Sequence, residues 1–142
     1  MWPLWIVLFV WTAALLLAHA ADAQSVVHNP TRVQFSSPDH ATNVSKYTVE
    51  YWLNTVDPAT GTPFMTMTLA KADVTVFSET GPVYEALLSK LVPLPTLPVG
   101  QVYKATLTAH GLDETQVSAR SGASNPFDRT SAPATPTTLS IR

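Results

Sequence analysis

The 142-residue chain contains no cysteine, and that absence removes disulfides, thiolate nucleophiles, iron–sulfur clusters and Cys-containing zinc sites together. Its 5 glycines are scattered singly, so a glycine-rich phosphate cradle cannot form and a nucleotide site is not expected. Charge is scarce: 13% of residues are charged, about half of the roughly 25% usual in globular domains. Neither sign dominates, with 8 Lys and Arg against 10 Asp and Glu for a formal charge of −2. That balance excludes the broad cationic footprint of a general nucleic-acid or anionic-membrane binder. What is present is apolar, 46% of the chain, which excludes a disordered, solvating polymer.

The apolar content is unevenly placed. Trp2, Trp5 and Trp11, three of the 4 tryptophans, fall in an uncharged run over residues 2–18. The run leads into Ala18-His19-Ala20 and Ala21-Asp22-Ala23, two overlapping small-x-small sites that read as a secretory signal peptide over residues 1–23, cleaved before Gln24. No Lys or Arg precedes the run, and about 17 to 19 apolar residues is just enough to span a bilayer, so an uncleaved anchor is the competing reading. The two cleavage sites, and the lack of a flanking Lys or Arg before Arg32, favour removal. The expectation is an exported protein, extracellular or periplasmic. A domain over residues 24–127 then has to hold together by burial alone, which about 100 residues can do.

In that domain a period of two prevails. Tyr47, Val49, Tyr51 and Leu53 alternate with Thr48, Glu50 and Trp52, as in a half-buried strand. Over residues 102–109, Tyr103, Ala105, Leu107 and Ala109 make one face, and Val102, Lys104, Thr106 and Thr108 the other. Shorter alternations at Val33 and Phe35, at Met65, Met67 and Leu69, and at Val117 and Ala119 predict further strands. The breaks between them, such as Ser37-Pro38-Asp39, Asp57-Pro58-Ala59-Thr60-Gly61 and Pro98-Val99-Gly100, carry the residues that turns require. Residues 85–91 could form a helical turn with Leu87, Leu88 and Leu91 on one face, but Pro82 and Pro93 crowd it and a strand is expected. The fold class predicted is all-β, an immunoglobulin-like antiparallel β-sandwich.

Residues 97–109, Leu-Pro-Val-Gly-Gln-Val-Tyr-Lys-Ala-Thr-Leu-Thr-Ala, resemble the E–F corner and F strand of a fibronectin type III domain, with Leu97 six residues before Tyr103. Phe35 stands where that family has the buried Trp of strand B, and Tyr47 where it has the Tyr opening strand C. The Ser37-Pro38-Asp39-His40 turn and residues 118–127 look like bacterial variants of the module. The resemblance covers about residues 26–127 and implies fibronectin type III topology. It departs at the start, where only Val26-Val27-His28 precedes Pro30, so strand A is short or absent. Independently of the resemblance, an inward Tyr103 needs a partner for its hydroxyl, and a tyrosine corner would supply backbone a few residues upstream.

Residues placed for chemistry are few in the sequence. Asp39 and His40 stand beside Ser36 and Ser37, but neighbours on an extended chain point to opposite sides and no nucleophile elbow is present; Asp39 is a turn residue. His28, His40 and His110 lack the spacing that presents two ligands to one metal and read as solvated loop histidines. No enzyme, cofactor or metal is expected. Asn43-Val44-Ser45 fits a glycosylation sequon, read here as a polar loop, though the sequence leaves its modification open. Residues 128–142, rich in Ser, Thr, Pro and Ala, read as a flexible tail. Trp52, out of phase with the inward residues, should face outward near Val102 and Lys104 on the neighbouring strand. There it either lies under Lys104 in a cation–π contact or anchors a ligand. The function expected is a monomeric, exported, non-catalytic binding or adhesion module for a protein or glycan, with Trp52, Val102 and Lys104 as its candidate site. The alternatives are a structural spacer or remnant domain without a ligand, or a membrane-anchored form if residues 1–23 are retained.

Overall fold

The computed structural model describes residues 24–78 and 80–131, so the expectations for residues 1–23 and for the tail beyond Ser131 lie outside the described residues. The described chain is all-β, with eight strands in two sheets built mainly from antiparallel pairs. One sheet has the order β1 (Val27–His28), β8 (Phe127–Asp128), β7 (Val102–His110), β3 (Lys46–Leu53), β4 (Met65–Ala70). The other has β2 (Arg32–Ser36), β6 (Val83–Leu87), β5 (Val74–Ser78). A single helical turn, α1 (His40–Asn43), links β2 to β3, and 3-10 turns at Lys71–Asp73 and Leu88–Lys90 close β4 and β6.

The alternation in β3 and β7 sets their register. Tyr47 pairs with Ala109, Val49 with Leu107, Tyr51 with Ala105 and Leu53 with Tyr103, so both apolar phases fall on one face. A one-residue slip would turn every one of these side chains over. On that face Tyr47, Val49, Tyr51, Met67, Leu69 and Tyr103 are buried with Ala86 of β6, while Val33, Phe35 and Val74 pack against them from the three-stranded sheet. Each full burial of an aliphatic or Met side chain contributes roughly 1.5–3 kcal/mol. Tyr103 is wholly buried, and its hydroxyl donates to the Pro98 carbonyl at 3.2 Å. This bond pins the turn in which Gly100, at φ +84°, takes the left-handed backbone that glycine accommodates without strain.

Several expectations change. Residues 85–91 divide: β6 ends at Leu87 and a 3-10 turn follows, delivering Leu91 to the core. β5, unmarked by clean alternation, adds an edge strand that the sequence reading did not anticipate. β1 is indeed two residues long, but it pairs in parallel with β8. On its side away from β6, β2 therefore has no partner strand among the described residues. Hydrogen bonding continues past residue 127: Asp128 belongs to β8, the Arg129 carbonyl accepts from Gly100 N–H, and Thr130 exchanges hydrogen bonds with Asn29.

The predicted strand at Val117 and Ala119 does not form; only an isolated bridge joins Val117 to His110. A period of three replaces the period of two. Ser118, Ser121 and Ser124 donate their N–H to the carbonyls of Ala109, Leu107 and Ala105 at 2.9, 2.8 and 2.8 Å. Their Oγ atoms accept the N–H of those same three residues at 3.0, 2.9 and 2.9 Å. Each serine hydroxyl thus takes the place of a strand carbonyl, which satisfies the β7 edge although the segment is not extended β structure.

Candidate functional site

Trp52 lies on the face assigned to it, opposite Lys104 in the β3–β7 register. It is not a surface residue: its exposure is 0%. The cover comes from the segment after β7, where Arg120 places its guanidinium carbon 4.9 Å from the indole centroid. Arg120 also reaches Glu50, with Nε 2.7 Å from Oε2, and donates Nη1–H to the Pro58 carbonyl. Beneath it the indole Nε1–H donates to Thr106 Oγ1 at 3.0 Å, and Thr106 donates to Glu50 at 3.3 Å. Every polar group of the patch is accounted for, as a sealed structural network requires. The expected cation–π partner was Lys104, but Lys104 Nζ donates to the Asn54 carbonyl. Val102 is half-buried beside Asp128. The three residues therefore do not form an exposed site.

The histidines also move from their expected loops. His28 is in β1 against Asp128 at 2.8 Å, and His110 ends β7 with Nε2 2.7 Å from Thr48 Oγ1. His40 opens α1 and packs on Tyr84, ring centroids 4.1 Å apart. Its Nδ1 is 2.7 Å from the Tyr47 hydroxyl, which donates to Ser37 Oγ at 2.9 Å. Desolvation, with Lys71 nearby, lowers the His40 pKa below the usual imidazole value, and burial raises that of Tyr47. The neutral ring then donates Nδ1–H to Tyr47, which completes a Ser37–Tyr47–His40 chain. The chain was hidden from sequence reading because Tyr47 enters it from another element.

Ser37, Tyr47, Asn43, Gln116, Ser118 and Ser121 line a cleft of about 610 Å³ between the α1 turn and the serine segment. It offers hydroxyl and amide groups but no exposed aromatic ring. Among the described residues no group of three or more His, Asp or Glu is placed to hold a metal ion, and no helix is long and apolar enough to cross a membrane.

A second cleft of about 380 Å³ opens between the sheets, where Leu87, Leu88, Leu94, Leu97 and Phe127 surround Tyr51. Tyr51 is 2% exposed and its hydroxyl is buried without a hydrogen-bond partner. An unpaired buried hydroxyl costs about 1–3 kcal/mol. Burial pushes the Tyr51 pKa up to about 12, with Arg129 opposing that shift.

Exposed apolar side chains gather on β5. Val76 is 60% and Phe77 56% exposed, although neighbours on a regular strand point to opposite faces. A register shift between Val76 and Ser78 breaks the ladder at Phe77, as in a β-bulge. Compared with family models, with characterised proteins and with solved structures, the chain matches none.

Proposed function

We propose that the chain is an exported, non-catalytic binding module with an immunoglobulin-like sandwich fold related to fibronectin type III domains, and that it docks a protein partner on β5. The strand order supports this reading: in such a sandwich β2-β6-β5 would be strands B, E and D, and β4-β3-β7-β8 strands C′, C, F and G. The Tyr103 bond to Pro98 stands where a tyrosine corner would place it. Export rests on the sequence of residues 1–23 alone.

The observation that carries the binding reading is the exposed Val76-Phe77 pair on an edge strand. An unpaired edge offers backbone hydrogen bonds, and two adjacent apolar side chains supply an anchor that a passive spacer would not need. The test is retention of partner proteins from the native exterior by wild type and by a Val76→Ser/Phe77→Ser variant. Loss of one specific partner with an unchanged melting midpoint is expected; equal retention would refute the β5 assignment. A glycan ligand is the second reading, favoured by the hydroxyl-lined cleft beside Ser37 and Ser121.

A further inference from the structure

The cleft around Tyr51 combines features that the β5 patch lacks, and we infer that it is a binding site for a small aliphatic monocarboxylate. Its walls are apolar, from Leu87 and Leu88 after β6, Leu94 and Leu97 of the following loop, and Phe127 of β8. Thr31 and Ser89 add hydroxyls to that lining, and two further donors stand there without a partner among the described residues. One is the Tyr51 hydroxyl, buried in the fold with no acceptor. The other is Arg129, which lines the same cleft and makes no ion pair among the described residues.

An apolar body with a single anionic head answers both features. A neutral hydrocarbon would leave the hydroxyl unpaired and the guanidinium unused, whereas a sugar would bury its own hydroxyls against leucine. A carboxylate accepts from phenol and guanidinium together, and charge-assisted bonds of this kind are roughly twice as strong as neutral ones. Size limits the chain. At about 380 Å³ the cleft is near the lower end of ligand pockets, roughly 300–1,000 Å³, and holds about a dozen non-hydrogen atoms at about 30 Å³ each. Decanoate has that size.

The experiment titrates the full chain with decanoate by calorimetry, alongside decanol and a peptide ending in a free leucine carboxylate. Saturable one-to-one binding of decanoate, with decanol at least about tenfold weaker, is expected. Tyr51→Phe should weaken decanoate about tenfold without lowering the melting temperature, because it removes a hydroxyl that has no partner in the free protein. Arg129→Gln should reduce decanoate affinity and leave decanol unaffected. Val76→Ser/Phe77→Ser should leave decanoate binding intact, which separates this site from the β5 reading. No saturable decanoate binding, equal affinity in Tyr51→Phe, or binding of the peptide in preference to decanoate would each overturn the inference.

Discussion

Replacing Trp52 by Ala tests the reading that its face of the five-stranded sheet is closed. The side chain is wholly buried, so truncation opens a large cavity, and such changes cost about 3–5 kcal/mol. Two further losses come with it: Thr106 loses the Nε1–H donor, about 1 kcal/mol, and Arg120 loses its aromatic platform, about 0.5–2 kcal/mol. These terms overlap, and a total of about 4–5 kcal/mol is expected. That is a large part of the roughly 5–15 kcal/mol that holds an average domain folded. Urea unfolding followed by circular dichroism measures it, with the midpoint falling and the slope unchanged. A cycle of Trp52→Phe and Arg120→Met isolates the indole–guanidinium contact; a coupling of about 0.5–2 kcal/mol is expected, since Met retains much of the Arg packing. An unchanged midpoint in Trp52→Ala would refute the closed face and return Trp52 to the surface.

Three other outcomes follow from the same geometry. Tyr103→Phe removes the bond to Pro98 and should lower stability by about 1 kcal/mol in the same urea assay, while loosening the turn at Gly100. Ser121→Ala leaves the Leu107 N–H without its acceptor, at a cost of about 0.5–1.5 kcal/mol, and hydrogen exchange at that amide should accelerate. His40 has a folded pKa below its unfolded value near 6.5, so the unfolded chain binds the proton more readily. Its contribution is complete above that value and is lost as pH falls through the folded pKa; melts between pH 8 and 5 should show this, with a shallower decline in His40→Gln.

Much of the fold was legible because β3 and β7 state their inward faces twice, once in each strand, and the two readings agree in register. Tyr103 was legible for a related reason: a buried phenol needs an acceptor, and the turn before it supplies one. β5 was not legible, since Val-Thr-Val-Phe-Ser alternates only until the break at Phe77. The serine segment was misread because Val117 and Ala119 also fit a period of two, which hides the Ser-x-x-Ser-x-x-Ser spacing. Alternation located Trp52 on the correct face but could not say whether that face is wet. The answer lay with Arg120, on a segment with no sequence link to β3. Tyr51 reads as a core residue by period, and an unpaired hydroxyl becomes visible only once every neighbour is in place.

The serine segment also bears on how the molecule meets copies of itself. Along β7 it advances three residues for every two of the strand, so its own outer backbone is out of step with any β-strand that approaches it. A sheet grows by matching spacings, and a mismatched border ends it, much as charges or bulges do at other edges. The residues between the serines are spared from pairing, and Arg120, one of them, is free to turn across the sheet onto Trp52 and Glu50. One short motif therefore closes the β7 edge and roofs the outer surface of the sheet beside it.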